Sequence, residues 1–186
     1  MSSSREHPLA QAVREEAGVV LSECYQCGKC TAGCPMARYM DISPNQVMRL
    51  AQAGDGDAME RLLSCEALWY CAGCLTCAQR CPRKLDPAAV MDVLREMAHR
   101  RGKVPAAARK VRAFHEAFLA AVEFGGRMEE IPLVLRYKLK SLDLLGDAGL
   151  APLMLARRKL PLLPHAIRGR GEVRRIFEKC RKRTRP

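Results

Sequence analysis

Cys24-Tyr25-Gln26-Cys27-Gly28-Lys29-Cys30-Thr31-Ala32-Gly33-Cys34-Pro35 spaces three cysteines three residues apart, adds a fourth after three more residues, and closes on proline. The same Cys-x2-Cys-x2-Cys-x3-Cys-Pro pattern returns at Cys71, Cys74, Cys77, Cys81 and Pro82. The repeat runs past the cysteines: Ser43-Pro44-Asn45-Gln46-Val47-Met48 matches Asp86-Pro87-Ala88-Ala89-Val90-Met91. Each copy pairs an N-cap residue with proline at the first helical position, so each cysteine loop feeds a helix. The first helix is predicted to run to about Ala53 and stop at Gly54, with Val47, Leu50 and Ala51 on one face. The second should reach about Arg101 and stop at Gly102, with Val90, Val93, Leu94 and Met97 spaced as one helical stripe.

Ten cysteines in a chain that opens on polar Met1-Ser2-Ser3-Ser4-Arg5-Glu6-His7-Pro8, without a signal-like apolar segment, argue against a disulfide scaffold. A reducing, cytoplasmic setting is expected, where such cysteines bind metal. A tight Cys-x2-Cys-x2-Cys loop suits three iron corners of a [4Fe-4S] cube, and in two-cluster proteins the cysteine before proline ligates the other cluster. One cluster is therefore expected on Cys24, Cys27, Cys30 and Cys81, and a second on Cys71, Cys74, Cys77 and Cys34. Zinc is the competing reading, but a four-cysteine zinc site draws two cysteines from each knuckle, whereas each motif here offers three in close succession. Small residues in the loops, among them Gly28, Gly33, Ala72, Gly73 and Ala78, let backbone N–H groups approach the sulfurs.

Aromatic residues make up only 5% while Ala, Leu, Arg and Met are abundant, which favours an all-α chain. A short helix is predicted from Asp57 to Leu63 and a longer one from Pro105 to about Phe124, with Val111, Phe114, Phe118 and Val122 as its apolar stripe. The division expected is a dicluster domain over 1–102 and a helical extension over 103–186, ending in a basic helix from about residue 172. Residues 1–102 hold 12 Lys/Arg and 12 Asp/Glu, so the whole net charge of +12 belongs to the second half. Such a tail needs an acidic partner or open solvent. No apolar run reaches membrane-spanning length, and membrane contact is at most peripheral; the segment Leu150-Ala151-Pro152-Leu153-Met154-Leu155 suits docking on a partner or packing on its own core equally.

The remaining candidates are weaker. Cys65 and Cys180 fall outside both motifs and are expected as packing or bystander residues. Tyr25, Trp69 and Tyr70 flank motif cysteines, where rings shield clusters or simply pack. His7, His99, His115 and His165 form no ligand pattern, and no glycine-rich phosphate loop marks a flavin, nicotinamide or ATP site.

The doubled motif, the helical spacer and the Leu68-Trp69-Tyr70-Cys71-Ala72-Gly73-Cys74 lead-in resemble the C-type subunit of heterodisulfide reductase and its bacterial sulfur-oxidising relatives; the stretch Lys159-Leu160-Pro161-Leu162-Leu163-Pro164 adds to the likeness. The resemblance implies an α-helical ferredoxin-like core and two [4Fe-4S] clusters on the eight motif cysteines. It also implies an electron-transfer subunit flanked by a flavin-bearing A-type subunit and a catalytic B-type subunit. The disulfide chemistry belongs to Cys-Cys-Gly motifs of the B-type partner, which this chain lacks, so it should carry electrons without a catalytic residue or small-molecule substrate of its own. Sulfur oxidation and heterodisulfide reduction both fit, with the Arg- and Ala-rich composition leaning to the bacterial relative. Two alternatives are a cluster-stabilised nucleic-acid binder, suggested by the tail, and an iron–sulfur subunit of the succinate dehydrogenase type. Nucleic acid is not the expected partner, and the second lacks its Cys-x4-Cys-x2-Cys spacing here.

Overall fold

The helix that follows the first motif, α3 (Pro44–Ala53), shows how local chemistry sets this architecture. Ser43 is its N-cap, Pro44 opens it, and Gln46 Oε1 accepts the Ser43 backbone N–H at 2.8 Å. Gly54 ends it at φ +61°, and the His7 imidazole occupies the space that a Cβ there would need. The matching helix α7 (Pro87–Arg100) starts on Asp86, whose Oδ1 accepts the Ala88 and Ala89 N–H groups at 2.9 and 3.0 Å. It closes with Gly102 at φ +68° and a Lys103 N–H to Ala98 carbonyl bond of 2.9 Å.

The computed structural model describes residues 7–142, 157 and 167–184. Among them are ten α-helices and no strand, so the all-α class holds. The chain divides into two compact units, Met1–Ala108 and Arg109–Pro186. The predicted Leu150–Leu155 segment, the Lys159–Pro164 stretch and His165 lie outside the described residues.

The first unit contains α1 (Pro8–Ala17), a 3-10 turn Leu21–Glu23, α2 (Lys29–Ala32), α3, α4 (Gly56–Ser64), α5 (Ala67–Tyr70), α6 (Thr76–Gln79) and α7. The spacer helix predicted at Asp57–Leu63 is α4, capped by Asp55 Oδ1 on the Ala58 N–H at 2.7 Å. Leu9, Val13, Val47, Met48, Leu62, Leu63, Leu68, Val90 and Leu94 form its water-excluded core. Of the predicted α3 and α7 faces, Val47, Ala51, Val90, Val93 and Leu94 are buried, while Leu50 and Met97 pack at the margin. The motif-centred pattern predicts nothing before Cys24, yet α1 inserts Leu9 and Val13, one helical turn apart, fully into the core.

The second unit contains α8 (Arg109–Gly125), α9 (Glu130–Ser141) and α10 (Arg170–Thr184). α8 begins after a 3-10 turn at Ala106–Ala108, so the predicted long helix is split at its start. Its buried face is not the predicted stripe. Ala117 and Ala121 are covered together with Leu133 of α9, whereas Phe114 and Phe118 are 44% and 38% exposed. Close approach of two helices selects small side chains at the contact, and the larger rings move to its flank. There Phe114 meets Tyr137 edge-on at 6.0 Å between ring centroids.

Candidate functional site

The cysteine loops owe their shape to two left-handed residues each. In the first motif these are Gln26 and Gly28, in the second Gly73 and Leu75, with φ between +58° and +75°. Matching positions thus curl identically, with glycine at one site in the first loop and at the other site in the second. The curl turns three sulfurs inward from one loop. A short helix, α2 or α6, then carries the chain on to the fourth cysteine, which faces away from its own loop.

Two small cavities result. Cys24, Cys27, Cys30 and Cys81 line the first, and Cys34, Cys71, Cys74 and Cys77 line the second. Each therefore gathers three cysteines of one motif and the last cysteine of the other. Their walls also cross: Met48 and Pro87 face the first cavity, Met91 and Pro44 the second, with Leu85 in one and Met36 and Met40 in the other. Apolar walls around the cysteine sulfurs, buried at Met48, Leu85, Pro44, Pro87 and Met91, limit water and lower the local dielectric.

The donor set fits a polynuclear group. Four thiols line each cavity, the number that a four-iron cube with one thiolate per iron requires. Burial pushes the Cys30 and Cys71 thiols up and takes Cys77 up to about 11. Exposed Cys74 goes the other way, because the Thr76 hydroxyl, 3.5 Å from its Sγ, favours the thiolate. Binding a metal group as thiolates therefore releases protons from the buried corners, and acid opposes it.

Two further side chains support the loops, and the sequence reading misses both. Gln52 of α3 donates its Nε2 to the carbonyls of Leu21 and Cys24 at 2.8 and 2.7 Å. Arg95 of α7 donates Nε to the Leu68 carbonyl at 2.6 Å and Nη2 to the Cys71 carbonyl at 3.2 Å. Their signal is the repeat itself, since both stand eight residues beyond the helix-opening proline. Asp41, also missed, caps α5 from a distance: its carboxylate accepts the Glu66 and Ala67 N–H groups, each at 2.9 Å.

The other cysteines stand apart from both cavities. Cys65 is buried in the core at 3% exposure, and Cys180 is exposed on α10. Trp69 is core and Tyr25 is 60% exposed, so of these two rings only Trp69 is shielded by packing. His7 caps α1 through its Nδ1, which accepts the Ala10 N–H at 3.2 Å, so the ring's proton sits on Nε2, facing the Gln52 carbonyl at 3.3 Å. No described helix is long and apolar enough to cross a membrane.

Comparison with known proteins agrees with this geometry. Residues 20–85 match the 4Fe-4S dicluster domain family. Over 92 residues the chain is 38% identical to the C-type subunit of the ferredoxin:CoB-CoM heterodisulfide reductase of Methanosarcina acetivorans, covering 50% of this chain and 36% of that one. It is 32% identical over 111 residues to a C-type iron-sulfur subunit of the CoB–CoM heterodisulfide reductase of Methanocaldococcus jannaschii, covering 60% and 58%. With the corresponding iron-sulfur subunit of Methanopyrus kandleri it shares 34% over 107 residues, covering 57% and 54%. The chain thus spans between about a third and three-fifths of the length of these relatives. Residues 20–85 thus match a 4Fe-4S dicluster domain, which implies two [4Fe-4S] clusters, in a chain similar to the C-type subunits of heterodisulfide reductases.

Proposed function

We propose that the chain is an electron-transfer subunit of a heterodisulfide reductase-like complex. One [4Fe-4S] cluster is held by Cys24, Cys27, Cys30 and Cys81, the other by Cys71, Cys74, Cys77 and Cys34. The observation that carries this reading is the pair of four-cysteine cavities, each closed by the last cysteine of the opposite motif. When bound, each cluster stores and passes on one electron. The chain's own residues fix the sulfurs, exclude water with Met48, Met91, Leu85 and the two prolines, and present the exposed corners Cys27 and Cys74 toward a donor or acceptor.

The resemblance extends the reading to partners. The flavin-bearing A-type subunit and the catalytic B-type subunit flank this relay in the reducing interior of the cell, and the thiol, disulfide or sulfur chemistry takes place on them. The division of labour assigns the dicluster domain to 1–102 and leaves region 103–186, where the net positive charge lies, for docking.

Anaerobic purification should give about eight iron and eight acid-labile sulfide per chain, with two reversible one-electron transitions in a redox titration. Zinc without sulfide, or iron that does not cycle, rules the relay out. Affinity purification from the native cell under anaerobic conditions should retain A-type and B-type subunits. Steep salt-dependent nucleic-acid binding in place of reversible reduction would identify the alternative.

A further inference from the structure

Gln52 and Arg95 occupy one position of the internal repeat and make the same two contacts. Gln52 stands eight residues beyond Pro44, Arg95 eight beyond Pro87. Each binds the carbonyl of the first motif cysteine and that of the leucine three residues earlier, Leu21 with Cys24 and Leu68 with Cys71. A neutral amide is enough to hold the first loop. The guanidinium in the second is therefore not required for holding, and its charge calls for a separate account.

The charge is placed to act. The Arg95 side chain is 21% exposed, so water screens it only in part, and its Nη2 lies 3.2 Å from the carbonyl of Cys71. The acids facing that half are Asp92, ion-paired with Arg95 at 2.8 Å but 63% exposed, and Asp86, whose carboxylate is taken up by the N-terminal N–H groups of α7. The equivalents in the first half are exposed Arg49 and neutral Ser43, and Lys29 is exposed at the rim of that cavity. Reduction adds one negative charge to a cluster that four thiolates already make anionic. A cation fixed on the backbone of one cysteine ligand favours that added charge, and its exposed partner Asp92 offsets it only in part.

We infer that Arg95 is a positioning residue that raises the reduction potential of the cluster beside Cys71, while Gln52 at the matching position leaves the cluster beside Cys24 without this bias. The chain thereby distinguishes two clusters that its repeated motifs would otherwise make alike. The inference rests on the cluster assignment proposed above.

The test is an EPR-monitored redox titration of the full anaerobic chain alongside iron analysis. Arg95→Gln keeps the carbonyl contacts that Gln52 demonstrates. It should lower one of the two transitions enough to change the partition of an electron between the clusters about tenfold, or about 59 mV, and leave the other in place. Gln52→Arg should raise the other transition, which keeps the idea testable if Arg95→Gln fails to fold. Arg95→Lys should stay near the wild-type value because it keeps the charge. Full iron content with both transitions unmoved in Arg95→Gln and Gln52→Arg overturns this inference alone. So does a shift in Arg95→Lys as large as that in Arg95→Gln. A chain lacking iron and sulfide overturns the cluster reading as well.

Discussion

Gly33 and Arg80 hold the same place in the two cysteine motifs, directly before the fourth cysteine, and they meet: a Cβ on Gly33 would lie 2.5 Å from Arg80 Cδ. Equivalent residues facing each other where α2 and α6 pack cannot both be large, so the repeat places glycine on one side and arginine on the other. Gly33→Ala should cost about 1 kcal/mol by displacing the arginine. Adding Arg80→Ala should cancel most of that cost. Urea unfolding of both single variants and the double variant checks it, with a coupling near zero counting against the contact.

The crossed cavities predict that a single substitution damages the distant cluster. Cys34→Ser should cut iron from about eight to about four per chain. It should open Cys74 and Cys77 to alkylation while Cys24, Cys27 and Cys30 stay protected. Cys81→Ser should do the reverse. Mass-spectrometric mapping of alkylated cysteines reads both variants, and loss confined to the substituted motif would contradict the exchange.

Asp41 should matter for the second motif although it follows the first. Its carboxylate satisfies two N–H groups at the start of α5, the helix that leads into Cys71. Asp41→Ala should destabilise the chain by about 2 kcal/mol, the expected scale for hydrogen bonds to a charged group. Thermal unfolding measures this, and Asp41→Asn should retain part of the stability.

Two glycines in left-handed conformation separate backbone strain from crowding. Gly18 at φ +66° has nothing within 4 Å of where a Cβ would sit, whereas at Gly54, φ +61°, that atom would fall 2.1 Å from the His7 ring. Gly18→Ala should cost about 1 kcal/mol from strain alone. Gly54→Ala should cost clearly more, and replacing His7 with Ala beside it should recover the excess. Denaturant midpoints of the four proteins decide the matter.

Burial takes the Cys65 thiol up to about 11. An unfolded thiol titrates near ~8.5, so the folded state binds its proton more tightly. That contribution to stability is complete below about pH 8.5 and is lost as pH rises toward 11. Native chain at about pH 8 should therefore resist alkylation at Cys65 while exposed Cys180 reacts, and Cys65 should become reactive only on unfolding.

The legible parts of this molecule are those whose chemistry is local. Proline after a capping residue starts α3 and α7 where the sequence places them, and glycine stops α3 at Gly54. The gathering of Cys24, Cys27 and Cys30 on one cavity follows from a spacing of three within a single curled loop. What escapes the sequence is reach. Asp41 bonds N–H groups 25 and 26 residues away, and Gln52 and Arg95 bond carbonyls 24 to 31 residues away, with no local mark that distinguishes them from solvated polar residues. α8 misleads for a related reason: an apolar stripe shows which side of a helix avoids water, but the partner helix decides whether phenylalanine or alanine stands at the line of contact.

Closing each cavity with a cysteine from the opposite motif also imposes an order in time. As the chain leaves the ribosome, Cys24, Cys27 and Cys30 emerge more than forty residues ahead of Cys81. Neither cage can be completed by a nascent chain that stops short of the second motif. On the cluster assignment proposed above, a truncated product would be left with open, oxidisable thiols, the second cage needing translation through residue 77 and the first through residue 81.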